Sequence, residues 1–177
     1  MKAILLLPLF ILYSVIVRAD INYINIAKIT DNKELIEAFN FIQENARFYD
    51  HWEANWTFEE PKENFINHLQ GYFEEFSNLS SINEETYLLL GDIAHYLYNM
   101  EVQKYYQIAV TNYQNALELN PESFRGYWFL GYHHSLSNVP NSAIDSILKA
   151  EKLSSEDDPA QFWDDYAMVF TMTNMPS

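Results

Sequence analysis

The chain has no cysteine. That excludes a disulfide framework, a thiolate metal site and a cysteine nucleophile. Basic residues are scarce: 10 Lys and Arg stand against 25 Asp and Glu, a net charge of −15. Such a balance argues against nucleic acid and anionic membrane surfaces as partners. It fits basic partners, or more simply a solvated acidic surface. There are only four glycines. None forms a nucleophile elbow, a phosphate-binding loop or a dinucleotide fingerprint, so no cofactor is expected. Apolar runs of membrane-spanning length, ~20 residues, are missing too.

What is present is apolar and aromatic. Hydrophobic residues make up 49% and aromatics 16% of 177 residues, enough for one domain with a real core. The N-terminus reads MKAILLLPLFILYSVIVRAD. Lys2 gives a positive start, an apolar run follows, and Val17 and Ala19 are small residues ahead of a cut before Asp20. This is the pattern of a secretory signal peptide over residues 1–19. An uncleaved anchor, favoured by Arg18 beside the cut, is the rival and would be the one route to a membrane. Cleavage leaves 8 basic against 25 acidic residues, a net charge of −17. Export without cysteine suits a periplasmic or extracellular protein of the bacterial envelope. Asn55 and Asn78 begin glycosylation triplets, which matter only in a eukaryotic secretory pathway.

The mature chain reads as helix after helix. Residues 20–30 alternate loosely and could be extended or loop. Asp31 or Asn32 then caps a helix carrying Leu35, Ile36, Phe39 and Ile42 at helical spacing. Pro61 suits the first position of a second helix, whose apolar face is Phe65, Ile66, Leu69, Tyr72, Phe73 and Phe76. Asn83 or Ser81 can cap a third. Further helices are expected over 103–119, 123–136, 141–153 and 159–172. No convincing strand pattern follows residue 30. The expected fold is all-α, antiparallel hairpins stacked in a short array with two extra N-terminal helices. Residues 20–83 form an N-terminal segment and 84–177 the repeats with a C-terminal helix.

Glycine inside a helix costs ~1 kcal/mol against alanine, yet Gly91 and Gly131 occupy matching places in YLLLGDIA and YWFLGYHH. Ala109, Tyr113 and Ala116 follow the first with the mutual spacing of Ala143, Ile147 and Ala150 after the second. The copies register if about six residues are inserted near NMEVQK. Over residues 84–155 this resembles the tetratricopeptide repeat family, with a possible degenerate third repeat from FWDDYAMVF. The resemblance implies two-helix repeats, A then B. Small residues Gly91, Gly131, Ala109, Ala116, Ala143 and Ala150 let backbones approach. Leu90, Leu130, Tyr113 and Ile147 fill the space, and Pro121 ends a B helix. Departures are the insertion, Ala94 and His134 in place of tyrosine, and no closing proline in the second copy.

The family binds peptides or partner proteins along a concave face of A helices. Carried over, that face comprises Glu85, Leu88, Asp92, His95 and Tyr96, then Arg125, Trp128, Tyr132, Ser135 and Leu136. The polar carboxylate clamp of some members is missing. Leu88, Trp128 and Tyr132 favour apolar contacts instead. In the rival arrangement the N-terminal helices, or residues 49–60, fill this groove and make its aromatics core.

Other chemistry is thin. His51, His68, His95, His133 and His134 show no metal-ligand spacing. His133 and His134 are sequence neighbours and point about 100° apart on a helix, so no metal is expected. Asp50, His51 and Glu53 sit with two tryptophans at 50–56, a conceivable metal or sugar-stacking loop. The acidic EDDP and WDD stretches lack calcium-loop spacing. Phe162, Trp163, Tyr166 and Phe170 could form an exposed patch for self-association. The resulting expectation is an exported, non-enzymatic scaffold for a partner protein or peptide. The alternative is an enzyme or carbohydrate-binding unit in residues 20–80 with the repeats as a docking module.

Overall fold

The computed structural model describes residues 23–45 and 62–173. The signal peptide, Pro61, Asn55 and the 49–60 loop lie outside them. Residues 23–29 form a strap containing one 3-10 turn, Ile26–Lys28. Seven helices follow: α1 (Lys33–Asn45), α2 (Lys62–Ser77), α3 (Glu84–Asn99), α4 (Tyr105–Leu119), α5 (Phe124–Leu136), α6 (Pro140–Leu153) and α7 (Ala160–Thr173). No strand occurs among the described residues. The chain is all-α, as its periodicity predicts.

Local chemistry sets the helix starts. The Asn32 side chain accepts from the Glu34 amide at 2.9 Å ahead of α1. Asn83, rather than Ser81, caps α3. Its side chain accepts from the Thr86 amide at 3.0 Å while the Thr86 hydroxyl accepts from the Asn83 amide at 3.4 Å, a reciprocal capping box. Ser123 caps α5 by accepting from the Gly126 amide at 3.0 Å. Pro140 stands in the first turn of α6, where its missing N–H costs nothing. Pro121 is exposed in the turn after α4, where it helps to stop the helix; it is not among the buried residues of the core, unlike the other expected packing residues.

The most extensive pairings are α3 with α4 and α5 with α6, two antiparallel hairpins. α5 rests on α3 and α4, and α7 repeats that step on α5 and α6. The inserted residues of the first hairpin are spread out. Beyond its glycine α3 runs three residues longer than α5, the turn is two longer, and α4 begins one residue earlier relative to its alanine. Glu101, in that turn, takes a left-handed φ of 71°.

The two glycines are close-approach positions. A Cβ on Gly131 would stand 2.9 Å from the Ile147 amide nitrogen and 3.2 Å from the Ala143 carbonyl oxygen. α5 and α6 therefore touch backbone to backbone. A Cβ on Gly91 would run into the Tyr113 ring, with Cζ at 2.9 Å. That ring is buried, and its hydroxyl donates to Asp92 at 2.8 Å. Leu90, Ala109, Ala116, Leu130, Ala143, Ile147 and Ala150 are all buried in one cluster or along its hairpin seams. Full burial of each large side chain contributes roughly 1.5–3 kcal/mol, ample compensation for two helical glycines.

Candidate functional site

The inner faces of α3 and α5 carry every expected groove residue, but they do not form an open groove. Leu88, Asp92, His95, Tyr96 and Trp128 are buried. Arg125 and Tyr132 are half-buried. The expectation that these seven residues line an open groove is corrected. Leu88 is fully buried in the cluster that also contains Phe39, Ile42, Phe65 and Leu69 of α1 and α2. Asp92 accepts from Tyr113 on α4. Trp128 is enclosed by Tyr23 from the strap, with ring centroids 5.2 Å apart, and by Phe162 of α7 at 5.6 Å. Its indole Nε1 donates to Asp165 at 2.8 Å. The strap and α7 cover Trp128, where the rival arrangement has the N-terminal helices or residues 49–60; of these, α2 packs on α3, and residues 49–60 lie outside the described residues.

The strap is held by a charged clasp. Arg125 Nη2 donates to Glu85 Oε1 at 2.6 Å and Nη1 to Oε2 at 2.9 Å. This is a bidentate pair of the strong kind. Nη1 also donates to the Tyr23 carbonyl at 2.6 Å. Glu85 Oε2 accepts from the Asn25 amide at 2.9 Å, and Lys28 Nζ lies 3.4 Å from Oε1. Burial opposes charge on Glu85, but Arg125, the Asn25 amide and Lys28 together hold its carboxyl below the ordinary carboxylate value. Asn83 donates to the Lys28 carbonyl at 2.6 Å, tying the strap's far end to the start of α3.

Between the hairpins lies a histidine chain that sequence reasoning missed. His95 Nδ1 is 2.8 Å from His133 Nδ1. His133 Nε2 faces the Tyr106 carbonyl oxygen at 3.1 Å. A carbonyl only accepts, so that nitrogen carries the proton and Nδ1 of neutral His133 accepts. His95 Nδ1 is then the donor, and its Nε2 accepts from Asn99 Nδ2 at 3.0 Å. One neutral tautomer set satisfies every contact. Burial, opposed by the Tyr106 carbonyl and reinforced by His134, lowers the His133 pKa to about 4. His134 is lowered by burial as well, and its Nδ1 lies 3.1 Å from the Tyr106 hydroxyl. The rings of His133 and His134 lie 6.4 Å apart, both against Tyr106, and His133 finds a further partner in His95 of α3. No group of three His, Cys, Asp or Glu is placed to hold a metal among the described residues. No described helix is long and apolar enough to cross a membrane.

At the other end, α7 buries Phe162 and Val169 but leaves Trp163 46% and Met172 37% exposed. Tyr166 and Phe170 are half-buried between. Trp163, Tyr166 and Phe170 form a ladder with ring centroids 5.8 and 5.0 Å apart. The sequence matches no protein-family model and no curated protein.

Proposed function

We propose that the chain is an exported, non-enzymatic scaffold of the tetratricopeptide kind that binds a partner protein or peptide. The observation that carries this reading is the clasp. Glu85 and Arg125 hold the strap, which is extended at Asn25 ahead of its 3-10 turn, through a main-chain amide and carbonyl, while aromatic neighbours seat its side chains. That is the physics of peptide recognition in an extended conformation, here performed on the chain's own strap. The regular step from α5 to α7 supports a solenoid-like surface. The signal-peptide pattern supports export to a periplasmic or extracellular space. The ladder on α7 offers a second contact surface, suited to self-association.

The test is affinity capture from the native envelope or secreted fraction, read by mass spectrometry. Leu88→Asp is unsuited as a control, since Leu88 is fully buried. Suitable controls are Arg125→Glu in the clasp and Trp163→Asp on α7, each checked by circular dichroism. A stoichiometric partner lost with either substitution supports the scaffold. A chain that retains no protein at any concentration, yet turns over a substrate or holds a sugar, contradicts it.

A further inference from the structure

The strap's seat specifies the chemistry of what can occupy it. Tyr23 lies edge-on to Trp128 at 5.2 Å and to Phe129 at 6.5 Å. Ile24 is completely buried. Asn25 is extended, with φ −85° and ψ 90°. The Tyr23 carbonyl and the Asn25 amide are taken by Arg125 and Glu85, and Lys28 supplies a cation to the same carboxylate. We propose that the face of α3 and α5 is a receptor, in trans, for a segment of another protein that takes the strap's backbone shape, extended at the Asn25 position and then turned as Ile26–Lys28 is. That segment has an aromatic residue, a branched aliphatic next to it, and a Lys or Arg about five places after the aromatic. Residues 23–28 occupy the seat as a tethered competitor. This rests on the scaffold reading and adds its specificity and its self-occlusion.

Three observations favour exchange over a permanent core role. A buried ion pair is expensive to desolvate, and its best-attested use is to specify geometry. The two arms of this one reach main-chain atoms of Tyr23 and Asn25, which any segment of the same backbone shape offers. The strap also ends before an independent cap. Thr30 accepts from the Asn32 amide at 3.0 Å and Asn32 from the Glu34 amide, so α1 keeps its N-terminus when residues 23–28 leave. Charge favours a foreign segment over a second copy. The chain carries −15; like charge opposes pairing of copies, whereas a basic segment is drawn to the acidic chain as a whole.

The experiment uses the full chain and a fluorescein-labelled peptide of its own residues 20–30, followed by anisotropy. Double substitution Tyr23→Ala, Ile24→Ala weakens the tethered occupant. Because tethering gives the strap an effective concentration near millimolar, the double variant should bind the peptide at least about tenfold tighter than wild type. Adding Arg125→Ala should cost at least another tenfold, and a scrambled peptide should not bind. Hydrogen exchange on the wild type with excess peptide should show the Asn25 amide losing protection. A folded double variant that does not distinguish the peptide from its scramble overturns the proposal, as does a double variant that cannot fold. A dimer that forms by strap exchange between copies overturns it in favour of self-assembly. If capture of a native partner is indifferent to Arg125→Glu, the scaffold reading stands and this seat is excluded.

Discussion

His95 Nδ1 donates to His133 Nδ1 across 2.8 Å, joining α3 of one hairpin to α5 of the next. The bond in this direction requires a neutral His133, because a protonated His133 has no lone pair at Nδ1. Its pKa is pushed from 6.5 to about 4. The unfolded chain therefore takes up a proton near pH 6.5 that the folded chain refuses until near pH 4. Stability is full above pH 6.5 and falls as pH drops through that window, by up to about 3 kcal/mol. Urea midpoints between pH 7.5 and 4.5 should show the slope. His133→Phe should flatten it while lowering stability at neutral pH by about 1–3 kcal/mol, since the His95 N–H and the Tyr106 carbonyl lose their partner. An unchanged slope in that variant places the titration elsewhere.

Glu85 acts in the same direction at lower pH. Its carboxyl is held below the ordinary value, so its contribution is present above the ordinary carboxylate range and is lost as pH falls through the lowered pKa. Arg125→Met should remove that acid-side component. It should also cost roughly 3–5 kcal/mol at neutral pH, the usual penalty for stranding one member of a buried pair. A loss below about 0.5 kcal/mol, the surface-substitution level, would show that the clasp is ornamental.

Gly91→Ala gains up to ~1 kcal/mol of helix propensity yet should destabilise by about 1–3 kcal/mol net, because its methyl overlaps the Tyr113 ring. Gly71→Ala is the internal control. A Cβ there meets nothing within 4 Å, so thermal melting should rise slightly.

On α7, neighbouring aromatics should behave oppositely. Phe162 is fully buried, 4.9 Å from Phe124, and its replacement by Ala should cost about 3–5 kcal/mol. Trp163 is exposed, and Trp163→Asp should change stability by less than about 0.5 kcal/mol. If α7 mediates self-association, sedimentation should show that same variant shifting to monomer.

Much of this architecture is legible in the sequence because its signals are local or periodic. The helix at Phe124–Leu136 is announced by Ser123 and closed near Ser137. Gly91 and Gly131 are interpretable because each recurs with the same downstream alanines. The filled groove is only half legible. Spacing puts Leu88 and Trp128 on one face but cannot say what lies over it, since Tyr23 comes from more than 100 residues away from Trp128 along the chain. The loose alternation of residues 20–30 conceals a 3-10 turn whose main-chain partners are distant side chains. The histidine chain is hidden for the same reason. His95 and His133 are 38 residues apart, at different offsets from their glycines, and only the stacking of α5 on α3 brings them together.

The most direct measurement is hydrogen exchange of the Asn25 amide in the wild type and in Arg125→Ala. The account predicts a protected amide in the wild type that exchanges freely in the variant, while the amides of α5 and α6 keep their protection. An Asn25 amide that exchanges freely in the wild type, or stays protected without Arg125, contradicts a strap held in the groove by the clasp.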